Sequence, residues 1–239
     1  MIKTVVFDID DTVYDCFHAD SIAVNALASY TKEQFGWDKE EYHSRQKAAM
    51  ADIRRYVGLS GAYRSRLLRY KVILEMADLP IWPHARRMQD IYFNTLLDNM
   101  VPEEGIADWM QYLRDRNIRI GIGTDAITQQ QFMKLEKLGL LPFIDFMVTS
   151  EEAGIEKPDP QFFARCNEKI KCLPEEVMFI GDNPEKDYKG SDAAGYYAVL
   201  YNPLYKQYPV PMRELHRYKD APALLEALNS ERNAEDHEK

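Results

Sequence analysis

The stretch Thr4–Thr12, TVVFDIDDT, decides how this chain folds. It opens on four apolar or β-branched residues, and such a short run, without polar alternation, is typical of a parallel strand buried under helices on both faces. The run ends in a group of acids at Asp8, Asp10 and Asp11. In open α/β sheets, ligands bind beyond the carboxyl ends of the strands, where the strand order reverses. The stretch therefore predicts a buried strand that delivers carboxylates to a binding crevice.

The same kind of short apolar run returns four times later in the chain. These runs are Ile118–Gly123, Phe146–Thr149, Val177–Ile180 and Tyr197–Leu200. Helical periodicity lies between them, for example over Gln129–Leu138 and Pro160–Ile170. Strands that alternate with helices indicate βαβ units. The predicted fold class is α/β, with a Rossmann-like core built on a parallel sheet.

A long segment after the first strand breaks this rhythm. It contains no clear strand and carries long amphipathic patterns, such as Ser21–Phe35 and Ala62–Met76, punctuated by glycine and proline. We therefore predict an inserted all-helical domain. The predicted boundaries are 17–98 for this insertion, and 1–16 together with 99–239 for the α/β core.

Composition restricts the function further. With 46% hydrophobic residues and a formal charge of −9, the chain can bury a core but lacks the basic surface that a nucleic-acid polymer would require. No apolar run approaches the roughly 20 residues that span a bilayer, and the first residues do not resemble a secretion signal. The three cysteines form no CxxC pair, so reduced thiols are expected. We expect a cytoplasmic monomer or homodimer with no membrane partner. The charged final ten residues could be disordered or could pack.

Polar side chains follow the other apolar runs at their carboxyl ends. Thr124 ends the second run, Asp182 and Asp187 follow the fourth, and Lys157 lies in the EKPDP segment between the third and fourth. If the strand ends lie side by side, these groups converge with Asp8 on one crevice. Clustered carboxylates repel and need a cation, and oxygen ligands favour Mg²⁺, which usually shares its site with a substrate phosphate. Phosphoryl chemistry is therefore the predicted reaction.

Each of these groups has a chemical role in such a reaction. Asp8, at the strand end, is suited to attack phosphorus and form an aspartyl phosphate. Asp10 is placed to give a proton to the leaving group and later to take one from water. Thr124 and Lys157 are suited to hydrogen-bond the phosphoryl oxygens, where transition-state charge is spread. Asp182 would complete the metal site.

These residues and their order resemble the four motifs of the haloacid dehalogenase superfamily of phosphohydrolases: VVFDIDDT, IGIGTD, EKPDP and FIGDNPEKD. The resemblance implies that Asp8, the backbone carbonyl of Asp10, and Asp182 bind Mg²⁺, while Asp187 supports these ligands. It also implies that the insertion 17–98 is a helical cap, of the C1 type, that covers the site and selects the substrate. The nucleotidase-like and acylneuraminate-phosphatase-like branch is the most similar.

Asp125 departs from the pattern of many family members, which carry Asn at this position. Its extra negative charge could change the hydrogen bonds near the phosphate. It could equally be the N-cap of the helix that follows Thr124. Its role is therefore left open.

Substrate contacts are expected from the cap, with Arg54, Arg55, Arg64 and His84 as candidates. Between Arg54 and Lys71 the chain carries six basic residues and no acid. This run could be a solvated helix face, or it could attract an anionic substrate to an otherwise acidic protein. His84 could equally be a residue of a turn.

Alternatives within the fold are a dehalogenase, a phosphomutase and a catalytically silent binding module. Dehalogenases lack the second acid of the first motif, so Asp10 argues against that activity. A silent module is disfavoured because the acids, the threonine and the lysine of all four motifs are present. A phosphomutase would use the same aspartyl phosphate and stays open. The predicted function is Mg²⁺-dependent hydrolysis of a small phosphorylated metabolite, such as a nucleoside monophosphate, a sugar phosphate or a phospho-acid.

Overall fold

The computed structural model describes residues 1–237, with side chains through residue 230. Within this part of the chain, six parallel strands form one sheet in the order β3-β2-β1-β4-β5-β6. The strands are β1 (Thr4–Phe7), β2 (Arg119–Thr124), β3 (Phe146–Thr149), β4 (Val177–Gly181), β5 (Tyr197–Tyr201) and β6 (Glu214–Leu215). The predicted α/β class with a parallel sheet is confirmed, and β6, only two residues long, was not predicted.

β1 occupies the centre of the sheet, and its four residues are fully buried. Phe7 pairs with Ile122 of β2 on one side and with Ile180 of β4 on the other. The strand order reverses next to β1, because β2 and β3 lie to one side while β4, β5 and β6 lie to the other. A crevice at the carboxyl ends of β1, β2 and β4 follows from this arrangement.

Helices cover the sheet and form the insertion. Four helices lie between β1 and β2 and precede the core helix α5. They are α1 (Cys16–Phe35), α2 (Lys39–Val57), α3 (Arg66–Glu75) and α4 (His84–Asp98). The remaining α-helices of the described chain are α5 (Ile106–Asp115), α6 (Thr128–Lys137), α7 (Ser150–Ala153), α8 (Pro160–Lys169), α9 (Gly190–Ala193) and α10 (Ala221–His237).

The insertion is a bundle in which α1 packs on α4, and α3 lies between α2 and α4. Its helix ends have local causes: Asp15 and Asp38 accept hydrogen bonds from the first turns of α1 and α2, and Gly36 ends α1 in the left-handed conformation. The amphipathic pattern over Ala62–Met76 is divided in the structure between a 3₁₀ turn, Gly61–Arg64, and α3, because Ser65 adopts an extended backbone there and its Oγ caps α3.

Among residues 1–237, no helix is both long enough and apolar enough to cross a membrane. All three cysteines are free thiols. α10 continues through His237 into the charged final segment, and residues 238 and 239 lie outside the described part of the chain.

Candidate active site

Three strand ends deliver the central polar groups. Asp8 follows β1 directly, Thr124 is the last residue of β2, and Asp182 follows β4. β1 is hydrogen-bonded to both β2 and β4, and the backbone N–H of Asp8 donates to the carbonyl oxygen of Ile180, 2.9 Å away. The parallel sheet therefore brings these residues to one edge, as the sequence analysis expected.

Asp8 is a buried carboxylate, with only 8% of its surface exposed. Its Oδ1 lies 3.0 Å from the ammonium of Lys157, but it has no hydrogen-bond partner among the described residues. Burial raises the pKa of Asp8 to about 7, although the positive charge of Lys157 opposes this shift. A buried oxygen without a hydrogen bond is costly unless a ligand or ion satisfies it.

The ammonium of Lys157 contacts several groups of the site. Its Nζ donates to Asp187 Oδ1 at 2.6 Å and to the carbonyl oxygen of Gly123 at 2.9 Å. Burial alone would lower the pKa of Lys157, but the carboxylates of Asp187 and Asp8 outweigh it and hold the pKa above its usual range. Asp187 approaches the β4 end so closely that a Cβ on Gly181 would lie 2.4 Å from its Cγ. Gly181 is therefore the residue that lets Asp187 reach Lys157.

Asp8, Asp182 and Asp187 each place a carboxylate oxygen within 4.8 Å of the others. Burial, followed by the charges of Asp8 and Asp187, raises the pKa of Asp182 to about 8. Lys157 supplies only one positive charge against these three buried or half-buried carboxylates, so a further cation is needed for all of them to be ionised at this spacing. The donor set is all oxygen, and Asp8 Oδ1 is unsatisfied within residues 1–237. These residues therefore fit a hard divalent cation such as Mg²⁺.

Asp10 lies beside a different set of partners. Its Oδ1 accepts hydrogen bonds from the Tyr14 hydroxyl and from the Lys134 ammonium, both at 2.6 Å. Burial raises the pKa of Asp10, but the charge and hydrogen bond of Lys134 and the hydrogen bond of Tyr14 outweigh it, so the pKa is lowered. The sequence analysis missed Lys134, which α6 supplies from 124 residues away.

Thr124 is buried, and its Oγ accepts a hydrogen bond from Gln131 Nε2 at 2.7 Å. Gln131 lies on α6, one turn before Lys134, and the sequence analysis missed it too. Because Gln131 is the donor in this bond, the hydroxyl hydrogen of Thr124 remains available to an acceptor in the crevice.

Asp125 does not cap the helix that follows it. Its Oδ1 accepts from the backbone N–H of Lys157 at 2.9 Å, and its Oδ2 accepts from Lys186 Nζ at 2.7 Å. α6 begins later, at Thr128, after Ile127. The N-cap hypothesis was therefore wrong, because the Asp125 carboxylate is used to hold the loop that carries Lys157.

Arg64 reaches from the insertion to the core. Its guanidinium donates to both carboxylate oxygens of Glu156, at 2.6 and 2.7 Å, and Lys186 donates to the same carboxylate at 2.9 Å. Glu156 is only 3% exposed, so it needs these cations. The ion pair between Arg64 and Glu156 therefore connects the insertion to the segment that carries Lys157.

The structure does not bring the other cap candidates to the strand ends. Arg54 and Arg55 line a surface cavity of about 600 Å³ whose walls are residues of α2 and Tyr63. His84 begins α4, and its Nδ1 lies 2.8 Å from the Tyr30 hydroxyl, inside the insertion. No contact of these three residues with the motif acids occurs among the described residues.

Comparison with known proteins identifies the family of this chain. The model of the haloacid dehalogenase-like hydrolase family matches residues 2–195. A ribulose-1,5-bisphosphate 5-phosphatase from Halopiger xanaduensis is 30% identical over 207 residues, which cover 85% of this chain and 86% of that protein. A glyceraldehyde 3-phosphate phosphatase from Methanopyrus kandleri is 27% identical over 201 residues, 83% of each chain.

Among solved structures, the HAD-hydrolase YfnB from Bacillus subtilis, bound to magnesium, superposes with a TM-score of 0.71 at 22% identity. The match covers 94% of this chain and 99% of that one, and it shows the shared fold.

The chain belongs to the haloacid dehalogenase-like hydrolase family. Within that family it is a phosphatase, a phosphoric monoester hydrolase, as are the two relatives just described.

Proposed function

We propose that the chain is a magnesium-dependent phosphatase that takes the phosphoryl group of a small metabolite onto Asp8 and then releases it to water. The environment of the Asp8 carboxylate is the observation that supports the proposal. It is buried, it lies 3.0 Å from Lys157, and its Oδ1 has no hydrogen bond within the described chain. A lone pair that no hydrogen bond occupies, beside a fixed cation, is what a nucleophile for a phosphate ester requires.

The reaction has two halves. In the first, a carboxylate oxygen of Asp8 attacks phosphorus, the bond from phosphorus to the ester oxygen breaks, and Asp10 gives its proton to the departing oxygen. In the second, water attacks the phosphorus of the aspartyl phosphate, Asp10 takes the proton of that water, and the acyl phosphate bond breaks to free Asp8 and inorganic phosphate. Asp10 ends protonated, ready for the next turnover.

Lys134 favours the ionised form of Asp10, which is the form needed in the second half. The first half needs the protonated form. We therefore expect substrate binding to loosen the contact between Lys134 and Asp10.

Thr124 and Lys157 position the phosphoryl group. The Thr124 hydroxyl accepts from Gln131 and so can donate to a phosphoryl oxygen. The Lys157 ammonium, held by Asp187 and the carbonyl oxygen of Gly123, is a fixed positive charge beside Asp8. Such prearranged donors stabilise the charge that spreads over the phosphoryl oxygens in the transition state.

The residues that would hold Mg²⁺ are Asp8, Asp182 and the backbone carbonyl of Asp10, with Asp187 supporting them. Asp187 also belongs to the group of three mutually close carboxylates, so it could contribute an oxygen itself. When bound, Mg²⁺ offsets the repulsion among these acids and the negative charge of the phosphoryl group.

We assign residues 17–98 to the cap, and 1–16 with 99–239 to the core. The substrate is a small phosphorylated metabolite: a sugar phosphate, a nucleoside monophosphate or a phospho-acid. The names of the two relatives, which act on ribulose 1,5-bisphosphate and glyceraldehyde 3-phosphate, favour phosphorylated sugars within this set.

Phosphate release from a panel of esters, with Mg²⁺ and with excess chelator, tests the proposal. The panel contains sugar phosphates, nucleoside monophosphates, phosphoglycolate and p-nitrophenyl phosphate, and Asp8→Asn, purified in the same way, removes the proposed nucleophile. Release that needs both Mg²⁺ and Asp8 supports the proposal. Release that persists in chelator or in Asp8→Asn contradicts it, and isomerised sugar phosphate without free phosphate would indicate a mutase instead.

A further inference from the structure

Asp125, whose role the sequence analysis left open, uses both of its carboxylate oxygens. Its Oδ1 accepts from the backbone N–H of Lys157 at 2.9 Å, and its Oδ2 accepts from Lys186 Nζ at 2.7 Å. An asparagine could accept from only one of these donors, because its other terminal atom is an NH₂ group that would face the Lys186 ammonium. The two contacts together therefore require the carboxylate that stands at this position.

Lys186 connects Asp125 to a second acid. Its Nζ also donates to Glu156 Oε2 at 2.9 Å, and the guanidinium of Arg64 donates to both oxygens of the same carboxylate. Burial raises the pKa of Glu156, but the hydrogen bonds from Arg64 and Lys186 outweigh it, so the pKa is lowered. The four side chains alternate in charge and sum to zero. We refer to them as the charged network (Arg64, Glu156, Lys186 and Asp125).

The charged network crosses from the insertion to the core. Arg64 is the last residue of the 3₁₀ turn Gly61–Arg64, and this turn packs on α7. The approach is close, because a Cβ on Gly61 would collide with the Cα of Glu151 in α7. Arg64 therefore lies where the insertion touches the core, and the other three members of the network belong to the core.

Lys157, at the other end of the network, is held at two points by neighbouring residues. Its Nζ donates to Asp187 Oδ1 at 2.6 Å, and its backbone N–H donates to Asp125, which Lys186 binds in turn. Lys186 and Asp187 are consecutive in the chain, so one short segment after β4 contributes to both contacts. Precise placement matters here, since a displacement near 1 Å can lower the rate of an enzyme by about 10²-fold.

We propose that the charged network positions Lys157 for catalysis, so that Arg64, a residue of the insertion, acts on the reaction through Glu156, Lys186 and Asp125. The inference rests on the proposed function, in which the Lys157 ammonium stabilises the charge on the phosphoryl oxygens. It also gives a reason for the aspartate after Thr124, since a residue with two charged acceptor oxygens serves both Lys157 and Lys186.

Asp125→Asn tests the network with little change of shape. The amide oxygen can still accept from the backbone N–H of Lys157, but the contact with Lys186 is lost. We expect kcat for p-nitrophenyl phosphate to fall about tenfold, the scale of one charge-assisted hydrogen bond. KM should change less, because Lys157 acts mainly on the charge of the transition state. Lys189→Met, which breaks an exposed pair with Glu185 in the same segment, is the matched control and should keep kcat.

A double-mutant cycle tests whether Arg64 acts through the network. Arg64→Met should lower kcat by a factor similar to that of Asp125→Asn, although Arg64 and Asp125 share no hydrogen bond or ion pair among the described residues. The double variant should lose little more than either single variant, because each change interrupts the same network. All variants are assayed well below their melting temperatures, and Arg64→Lys takes the place of Arg64→Met if that protein does not fold.

Three results would overturn the inference while wild-type activity is intact. The first is an unchanged kcat in Asp125→Asn. The second is a rise in KM without a fall in kcat, which would indicate weaker substrate binding rather than a misplaced lysine. The third is a double variant whose losses multiply to about a hundredfold, which would show that Arg64 and Asp125 act separately. Failure of the wild-type enzyme to hydrolyse any ester would instead contradict the proposed function.

Discussion

The guanidinium of Arg64 donates two hydrogen bonds to the carboxylate of Glu156, from Nε to Oε1 at 2.6 Å and from Nη2 to Oε2 at 2.7 Å. Arg64 belongs to the inserted helices and Glu156 to the core, directly before Lys157. Asp125 holds the backbone of Lys157, and Lys186 joins Asp125 to Glu156. These ion pairs and hydrogen bonds therefore connect the insertion to Lys157, which lies beside Asp8.

Removal of Arg64 should weaken the fold measurably. Arg64→Met leaves the buried Glu156 with Lys186 alone, and we expect a loss of about 1–3 kcal/mol in the free energy of unfolding. Urea denaturation measures it. Arg86→Met, which breaks an exposed pair with Asp90, is the control and should cost no more than about 1 kcal/mol. Equal losses in the two variants would show that the Arg64–Glu156 pair contributes no more to the free energy of unfolding than an exposed pair does.

Gly61 sets how closely the insertion approaches the core. A Cβ at this position would lie 2.4 Å from the Cα of Glu151, which is backbone and cannot move aside. Gly61→Ala should therefore displace the insertion from the crevice and lower kcat/KM by about tenfold to a hundredfold, the effect of a displacement near 1 Å. Ala62→Ser, at the exposed neighbouring position, should leave kcat/KM unchanged. A fully active Gly61→Ala enzyme would mean that this contact does not matter for turnover.

Lys134 should matter for turnover more than for substrate binding. Lys134→Met removes the charged hydrogen-bond donor of the Asp10 carboxylate and leaves only neutral donors such as Tyr14, so the acid–base group is held less firmly. We expect kcat to fall by at least tenfold, within the roughly 10²–10⁴-fold that general acid–base catalysis contributes, with a smaller change in KM. Lys137→Met, in an exposed pair with Asp98, is the matched control on the same helix. An unchanged kcat in Lys134→Met would show that Lys134 does not position Asp10 for catalysis.

The stability of the metal-free protein should fall as the pH rises. The pKa of Asp8 is raised to about 7 and that of Asp182 to about 8, both above the ordinary value near 4 for an aspartate. The folded state therefore binds more protons than the unfolded state between about pH 4 and 8, and stability decreases with pH across this window.

Melting temperatures measured in chelator from pH 5 to 8.5 test this expectation. Asp182→Asn should flatten the slope, because it removes one of the two raised groups. Mg²⁺ should raise the melting temperature more at pH 8 than at pH 5, since the metal needs the ionised carboxylates. A metal-free melting temperature that rises across this range would contradict the pKa assignments.

Much of the site could be predicted from the sequence because a parallel sheet collects the carboxyl ends of its strands at one edge. Short apolar runs identified β1, β2 and β4, and the polar residues that end these runs had to meet. Asp8, Thr124 and Asp182 follow from this rule alone. The same rule brought in Lys157 and Asp187, which lie beyond the strand ends, and the resemblance to the family motifs then gave Asp187 its supporting role.

The supporting residues could not be predicted in this way. Gln131 and Lys134 are polar residues three positions apart on α6, a pattern that normally indicates a solvated helix face. Only the tertiary structure shows that this face is turned toward Thr124 and Asp10 and is buried.

The basic run from Arg54 to Lys71 misled the sequence analysis for a related reason. It was treated as one surface, but α2 ends before Gly58 and α3 begins after Ser65, so the run falls on separate elements. Arg54 and Arg55 are exposed, Arg64 is bound to Glu156, and Arg69 is buried. Charge density along the sequence therefore did not indicate where each charge lies in space.

The measurement that tests the central claim most directly is a search for the phosphoryl group on Asp8. Enzyme and ³²P-labelled ester are mixed with Mg²⁺, quenched in acid within one turnover, and the protein is digested and analysed by mass spectrometry. We predict label on the peptide that contains Asp8, labile to base and to hydroxylamine as an acyl phosphate is, and no labelled protein with Asp8→Asn. Label that never appears on the protein while phosphate is released, or label that persists in Asp8→Asn, would contradict the account.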